Sequence, residues 1–235
     1  MSAVVCFSMD KQITALKVQK RNPNRINVYL DGEYAFPVAR IVGAWLQIGQ
    51  VLSEEKIASL RAADTKEVAF QRALNFLSYR PRSEAEVQRK LTEAGFDEAV
   101  IAETLERLRG ANLISDAQFA KDWVENRSTF RPRGRRVLAM ELRQKGVADD
   151  VIQSALDGTV DEDELAYQAA VRKARRWADL EYAAFRERLS AYLLRRGFSY
   201  GTIANLVQRV WSDLQEARDT GTTPDYTVSD EEEYE

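Results

Sequence analysis

The sequence predicts a mainly α-helical protein made of three tandem three-helix, helix-turn-helix-like repeats, preceded by a small β-hairpin unit. One apolar pattern recurs twice at a spacing of 51 residues, in Val87–Leu105, Leu138–Leu156 and Leu189–Val207. Each stretch has apolar residues at helical spacing on both sides of one glycine, which predicts two amphipathic helices. Because one such pair does not bury its apolar face alone, three copies in register indicate stacked units, an elongated array with a shared core.

The glycine of each copy predicts where the first helix of the pair ends. Gly95, Gly146 and Gly197 align without a gap. We expect each to adopt the left-handed backbone conformation, which glycine takes at the least cost. The apolar residue that follows each glycine is then expected to fold back onto the helix.

The N-terminal part contains the only predicted β-structure. Residues 1–11 show no periodicity and are expected to be disordered. Ile13–Gln19 and Ile26–Leu30 predict two strands around a turn, and Tyr34–Phe36 predicts a third that stops at Pro37. The pattern therefore indicates a hairpin or a three-stranded meander.

Two short helical segments are predicted between these strands and the repeats. Val38–Trp45 has a helix-like pattern, and residues 53–63 predict a short helix that begins at Ser53. Ser53 as N-cap with Lys56 three residues later is half of a capping box. Residues 12–64 are expected to form a small unit that packs on the first repeat.

Each repeat is predicted to begin with a longer helix, at Glu67–Tyr79, Asp116–Phe130 and Glu162–Trp177. The first two helices end at Arg-Pro-Arg junctions, where proline cannot continue the helix. Ser83 with Glu86 completes a capping box after the first junction. The corresponding third segment, Asp179–Phe185, lacks Arg-Pro-Arg. The expected repeats are 65–114, 115–160 and 161–217, followed by a disordered acidic tail at 218–235.

The composition argues against an enzyme and against a bound metal or cofactor. The chain has no histidine and one cysteine, Cys6, so the commonest general base and the commonest metal ligands are missing. Its glycines form no phosphate-binding motif. No apolar run approaches the ~20 residues that span a bilayer, and the first residues predict no signal peptide. A lone cysteine fits a reducing cytoplasm.

The formal net charge of −3 hides an asymmetry between the body of the chain and its end. Residues 219–235 contain seven of the 37 acidic residues and no basic one. The remaining 30 acidic residues face 34 basic ones. The body is therefore mildly basic, and the C-terminal segment is acidic.

Basic side chains cluster near the junctions and the ends of the repeat helices, and they are the candidates for binding a partner or DNA. The candidates are Arg80, Arg82, Arg127, Arg131, Arg133, Arg135, Arg136, Arg143, Lys145, Arg172, Lys173, Arg175, Arg176, Arg195 and Arg196. Isolated basic residues on helices are usually solvated or paired along the helix. The run Arg131–Arg136 lacks nearby acids in the sequence, which favours a surface for nucleic acid or an acidic protein face.

The helix-glycine-helix pairs leave open a sequence-specific DNA-binding regulator as an alternative. Asp97-Glu98 and Asp149-Asp150 would repel phosphate at the start of two of the would-be recognition helices. Only Ser199–Val210 lacks acids, and it offers Asn205 and Gln208. Aromatic side chains, including Tyr79 and Phe130, are able to stack on bases, but their helical spacing assigns most of them to the core.

The combined motifs resemble the regulatory protein RecX family. The resemblance rests on SEAEVQRKL, ANLISDAQFAKDWVENR, RPRG, ELRQKGV and LLRRGFSYGTI, with an N-terminal LDGEYAF, and covers about residues 12–215. It implies a cytoplasmic, non-enzymatic modulator of the RecA recombinase. Such proteins lie in the groove of the RecA–single-stranded DNA filament and suppress strand exchange, ATP hydrolysis and co-protease activity.

The resemblance also implies the partners: the RecA filament, single-stranded DNA and, more weakly, duplex DNA. No small-molecule substrate and no membrane are expected. A generic helical interaction scaffold is the third hypothesis, beside the RecA modulator and the sequence-specific DNA binder.

Overall fold

The computed structural model describes residues 10–158 and 161–219. The chain divides between Ser115 and Asp116 into two compact units. The first contains the β-structure and the first repeat, and the second contains the other two repeats. No helix among the described residues is both long enough and apolar enough to cross a bilayer.

The N-terminal part is an antiparallel sheet of four strands rather than three. The strands are β1 Lys11–Val18, β2 Arg25–Leu30, β3 Glu33–Ala39 and β4 Val51–Leu52, in the order β3-β2-β1-β4. Alternate residues such as Ile13, Val28 and Phe36 are buried in its core, as expected for a sheet with one covered face. The predicted hairpin is thus present, and a short fourth strand extends it.

Two predictions for this region are wrong. Pro37 does not stop the third strand, because it lies within β3 opposite Asn27, and β3 is an edge strand where proline removes no central hydrogen bond. Val38–Trp45 is not a helix. Val38 and Ala39 complete β3, and turns lead from there to β4.

One helix, α1 Glu54–Leu77, replaces the two helices predicted at 53–63 and Glu67–Tyr79. The boundary expected at 64/65 therefore falls inside this helix. Asp64 is compatible with the helix because its carboxylate accepts hydrogen bonds from Arg25 Nη2 at 2.8 Å and from the Ala39 amide at 2.6 Å. Ser53 caps α1 as predicted, accepting from the Lys56 amide at 3.2 Å.

The remaining helices give each repeat its three predicted members. After α1 come α2 Glu84–Glu93, α3 Glu98–Gly110, α4 Asp116–Phe130, α5 Arg135–Gln144, α6 Asp149–Asp157, α7 Glu162–Ala174, α8 Tyr182–Arg195 and α9 Tyr200–Asp219. The predicted end of the seventh helix, at Trp177, is instead a 3-10 turn, Arg175–Trp177. The capping box of Ser83 and Glu86 is confirmed at the start of α2.

The three glycine positions are confirmed. Gly95, Gly146 and Gly197 have φ of +83°, +81° and +86°. In the first copy the Phe96 amide, one residue beyond the glycine, donates to the Leu91 carbonyl at 3.3 Å. This bond folds the following apolar residue back onto the helix, as predicted.

The buried side chains form a separate core in each repeat, which corrects the expected shared core. The first repeat buries Val87, Leu91 and Leu108, among others, between α1, α2 and α3. The second and third repeats have their own clusters, at 119–156 and 165–210. A fourth cluster lies in the sheet and includes Leu60 of α1. Because α1 contributes to two of these cores, it joins the sheet to the first repeat.

The expected disordered ends lie mostly outside the described residues, which exclude 1–9 and 220–235. Where they overlap the structure, the prediction is wrong. Lys11 begins β1, and Arg218 belongs to α9. The Arg218 guanidinium donates to the Ala178 carbonyl at 2.7 Å, which ties the last turn of α9 to the rest of its repeat.

Candidate partner- and DNA-binding surface

The first Arg-Pro-Arg junction holds its two arginines in different environments. Arg80 is exposed, and its guanidinium contacts Glu86 at 2.8 Å. Arg82 is mostly buried, with its guanidinium 4.1 Å from the centre of the Phe76 ring. Desolvation by burial, followed by repulsion from Arg80, lowers the pKa of Arg82 below its ordinary value, against the attraction of Glu86. Arg80 is therefore the more accessible of the pair.

The positive charge of the second junction is partly offset by an acid that lies only a few residues further along the chain. Glu141 is a buried residue of α5. Its carboxylate accepts hydrogen bonds from Trp123 Nε1 at 2.8 Å, from Arg127 Nε at 3.1 Å, and from Arg133. The inference that Arg131–Arg136 lacks nearby acids is wrong, because Glu141 of α5 lies within hydrogen-bonding distance of Arg133 in this run.

Three more candidates also have partners within the second repeat. Arg135 donates to Asp157 and, at 3.2 Å, to the Leu156 carbonyl at the end of α6. Arg143 contacts Asp149 at 2.6 Å. Lys145 lies 5.4 Å from the centre of the Trp123 ring. These contacts give the three side chains a structural role in addition to any binding role.

The second and third repeats meet at the second junction, and we call this place the arginine joint: residues 129–136 with Arg172, Arg195 and Arg196. The Gly134 amide donates to the Arg196 carbonyl at 2.9 Å. The Arg196 guanidinium donates in turn to the Pro132 carbonyl at 3.4 Å. Each repeat thus supplies a donor to a carbonyl oxygen of the other.

Arg172 brings a third basic cluster to the arginine joint. Its guanidinium donates to the carbonyls of Thr129 and Phe130, both at 3.4 Å. These carbonyls lie at the C-terminal end of α4, where a cation is favoured by the helix dipole. Clusters that are about 40 and 60 residues apart in sequence are therefore adjacent in the fold.

The same cations affect the pKa of Tyr192, a partly buried residue of α8. Burial raises the pKa of the Tyr192 hydroxyl, and the charges of Arg196, Arg172 and Arg195 oppose that rise. The Arg196 guanidinium lies 5.0 Å from the centre of the Tyr192 ring. The charges of α7 and of the end of α8 thus act together on one partly buried ring.

The candidates differ in what remains available to a partner. Arg136 and Arg195 are exposed and form no hydrogen bond or ion pair with any other residue in the described ranges. They flank the Gly134–Arg196 bond on the two backbones that it joins. Arg131, Arg175 and Arg176 are exposed but have contacts of their own, and Lys173 is half-buried. Arg136 and Arg195 are thus exposed cations of the arginine joint that have no hydrogen bond or ion pair in the described ranges.

Two aromatic side chains that the helical spacing assigned to the core lie outside it. Tyr79 is 85% exposed and Phe130 is 69% exposed. The two residues are 51 apart and each directly precedes an Arg-Pro-Arg segment. Their shared position at the end of a helix, rather than within one, was the signal for exposure.

Family models match most of the described chain. They are the Regulatory protein RecX N-terminal domain at residues 11–53 and the first, second and third three-helix domains of RecX at residues 69–108, 115–156 and 161–207. The matched ranges fall on the sheet and on the three repeats described above.

Relatives and solved structures agree with these matches. The Regulatory protein RecX of Limosilactobacillus reuteri (strain DSM 20016) is 34% identical over 192 residues, 80% of this chain and 72% of the relative. That of Bacillus subtilis (strain 168) is 33% identical over 202 residues, 84% and 76% of the two chains.

A crystal structure of regulatory protein RecX superposes with a TM-score of 0.69 at 32% identity, covering 85% of this chain and 99% of that one. The structure of RecX from Lactobacillus salivarius gives a TM-score of 0.59 at 29% identity, covering 63% and 97%. With three three-helix repeats behind a small sheet, and an identity above 30% to relatives matched over more than two thirds of their length, this chain belongs to the regulatory protein RecX family.

Proposed function

We propose that this chain is a non-enzymatic inhibitor of the RecA recombinase that acts in the cytoplasm. It binds in the groove of the RecA–single-stranded DNA filament and suppresses ATP hydrolysis, strand exchange and co-protease activity. Membership of the RecX family supports the regulatory role. The arginine joint supports contact with an anionic partner, since RecA-coated DNA offers both phosphates and protein carboxylates.

The gathering of Arg136, Arg172 and Arg195 at one joint is the observation that carries this proposal. Arginine binds carboxylate or phosphate through two parallel hydrogen bonds. Arg136 and Arg195 are exposed on either side of the backbone contact between two repeats. This backbone contact keeps the two arginine-bearing segments side by side, which lowers the entropy lost on binding.

Inhibition of the RecA ATPase on single-stranded DNA tests the proposal. The wild-type chain should lower the steady-state ATPase rate, and Arg136→Ala/Arg195→Ala should need a several-fold higher concentration for the same effect. Both side chains are exposed and unpaired within the described ranges, so the variant should melt like wild type. An ATPase rate that the wild-type chain leaves unchanged contradicts the proposal.

Arg72→Ala/Arg89→Ala is the matched control. Arg72 and Arg89 are exposed residues of the first repeat, without a hydrogen bond or ion pair in the described part of the chain. The control removes the same charge away from the arginine joint. If both double variants weaken inhibition equally, net charge and not the joint explains the effect.

The same protein preparations also test the sequence-specific DNA-binding alternative. The Asp97 N-cap opens α3, Asp149 opens α6 and pairs with Arg143, and Gln208 of α9 accepts a hydrogen bond from the Tyr182 hydroxyl at 2.7 Å. The two acids would repel phosphate, and Gln208 is engaged by Tyr182, whereas Asn205 of α9 is exposed. We expect single-stranded DNA to bind more tightly than duplex, with no duplex sequence favoured by orders of magnitude.

A further inference from the structure

The exposed rings of Tyr79 and Phe130 occupy equivalent positions of the first and second repeats. Buried aromatic residues precede both rings along the chain, such as Phe70 in α1 and Phe119 in α4. A single exposed ring is ordinary on a protein surface. Exposure at the same position of two repeats, 51 residues apart, calls for a common cause.

An arginine held by hydrogen bonds adjoins the backbone of each of these two residues. Arg80 follows Tyr79 and is fixed by the Glu86 carboxylate at 2.8 Å and by the Pro81 carbonyl at 3.0 Å. Arg172 donates to the carbonyl of Phe130 itself at 3.4 Å. A flat apolar ring next to a cation is the combination that binds a base and its phosphate in single-stranded nucleic acid.

We infer that Tyr79 and Phe130 are base-stacking positions, at which the first and second repeats contact unpaired bases of single-stranded DNA. This inference rests on the proposed function, because it assigns the DNA contact of the same filament-binding protein. Stacking needs an unpaired base, since the faces of bases within a duplex are covered by their neighbours. It therefore predicts a preference for single strands that charge alone does not provide.

The third repeat has no aromatic residue at the position equivalent to Tyr79 and Phe130. Glu181 lies 51 residues after Phe130 and is exposed at the start of α8. The segment around it has no Arg-Pro-Arg. A carboxylate there repels phosphate, so the stacking position is restricted to the first two repeats.

The test compares two labelled strands of equal length and equal phosphate number, oligo(dT) and an abasic strand, by fluorescence anisotropy. Tyr79→Ala/Phe130→Ala should bind oligo(dT) roughly tenfold more weakly or worse. Its affinity for the abasic strand should not change, because that strand offers only phosphates. The exchanged variant Tyr79→Phe/Phe130→Tyr keeps both rings and should bind oligo(dT) like wild type.

Tyr34→Ala/Tyr200→Ala is the control, since both rings are exposed but neither has an aromatic counterpart at the equivalent position of another repeat. It should bind both strands like wild type. Two outcomes overturn the inference. One is equal affinity of the wild-type chain for the two strands, and the other is an equal loss of affinity for both strands in Tyr79→Ala/Phe130→Ala. If Tyr79→Ala/Phe130→Ala binds oligo(dT) like wild type but no longer binds RecA-coated strands, the rings contact the protein partner and the inference also fails.

The outcome is independent of the RecA ATPase measurement. If the wild-type chain prefers oligo(dT) to the abasic strand but leaves the RecA ATPase unchanged, the proposed function fails and the stacking positions stand. If it inhibits RecA while both strands bind equally, the proposed function stands and the stacking inference fails.

Discussion

The Gly134 amide donates to the Arg196 carbonyl at 2.9 Å, and the adjoining Gly197 approaches so closely that neither glycine has room for a side chain. A Cβ at Gly134 would overlap the Gly197 carbonyl, and a Cβ at Gly197 would overlap the side chain of Val137. Two glycines thus permit the backbone contact between the second and third repeats.

Gly134→Ala should lower the free energy of unfolding by about 1–3 kcal/mol, since the new methyl group must displace backbone rather than a flexible side chain. Thermal melts measure the loss. Gly110→Ala is the control, because a Cβ at Gly110, the last residue of α3, meets nothing within 4 Å. Equal melting temperatures of the Gly134→Ala and Gly110→Ala proteins would show that the close approach of the two backbones is not needed.

Gly197→Ala should destabilise more than Gly95→Ala, although both glycines have a positive φ. At Gly95 the cost is that of the left-handed backbone alone, about 1 kcal/mol, because nothing lies within 4 Å of its Cβ position. At Gly197 the overlap with Val137 adds to that cost. Chemical denaturation of the two variants gives the difference, and equal losses would contradict the packing contribution.

Glu141→Ala should destabilise the protein by about 1–3 kcal/mol, because Trp123, Arg127 and Arg133 lose a shared acceptor. The loss is smaller than for a fully buried ion pair, since both guanidiniums reach solvent. Asp157→Ala, which removes an exposed partner of Arg135, should cost less than about 1 kcal/mol. Urea melts of the two variants should separate them. Similar midpoints would show that the bonds to Glu141 add no more stability than an exposed ion pair.

Deleting residues 220–235 should tighten non-specific binding to single-stranded DNA. The segment contains six acidic residues and no basic one, so it competes with phosphate for the basic body of the protein or repels it. Affinity measured at low and at physiological salt should show the larger gain at low salt, where screening is weak. A second variant, with the six acids changed to their amides, separates charge from length. An unchanged affinity in both variants would show that the segment has no part in DNA binding.

The repeat architecture was predictable because its signals are local. The 51-residue period, the three glycines and the capping box of Ser83 and Glu86 are each encoded within one or two helical turns. The boundaries in the N-terminal part were predicted less well. Val38 has a helix-like neighbourhood in sequence, but its pairing with Ile26 across β2 and β3 decides for a strand.

The candidate site was predictable in its composition but not in its pairing. Sequence clustering found the arginines, yet it left Arg133 without an acid, although Glu141 reaches the junction once α5 forms. The continuity of α1 was missed for a similar reason. Asp64 favours a turn in isolation, and only its contacts with Arg25 and Ala39 stabilise it within a helix.

By itself, the sequence determined the number of repeats, the position of their turns and the basic character of the junctions, because periodicity and glycine conformation depend on near neighbours. Only the tertiary structure decided which guanidiniums remain available. Arg136 and Arg195 are exposed and unpaired in the described ranges, whereas Arg133 and Arg135 form ion pairs with Glu141 and Asp157. It also decided that Tyr79 and Phe130 face solvent. These properties depend on packing between residues that are distant in the chain, and hydrophobic periodicity does not record such contacts.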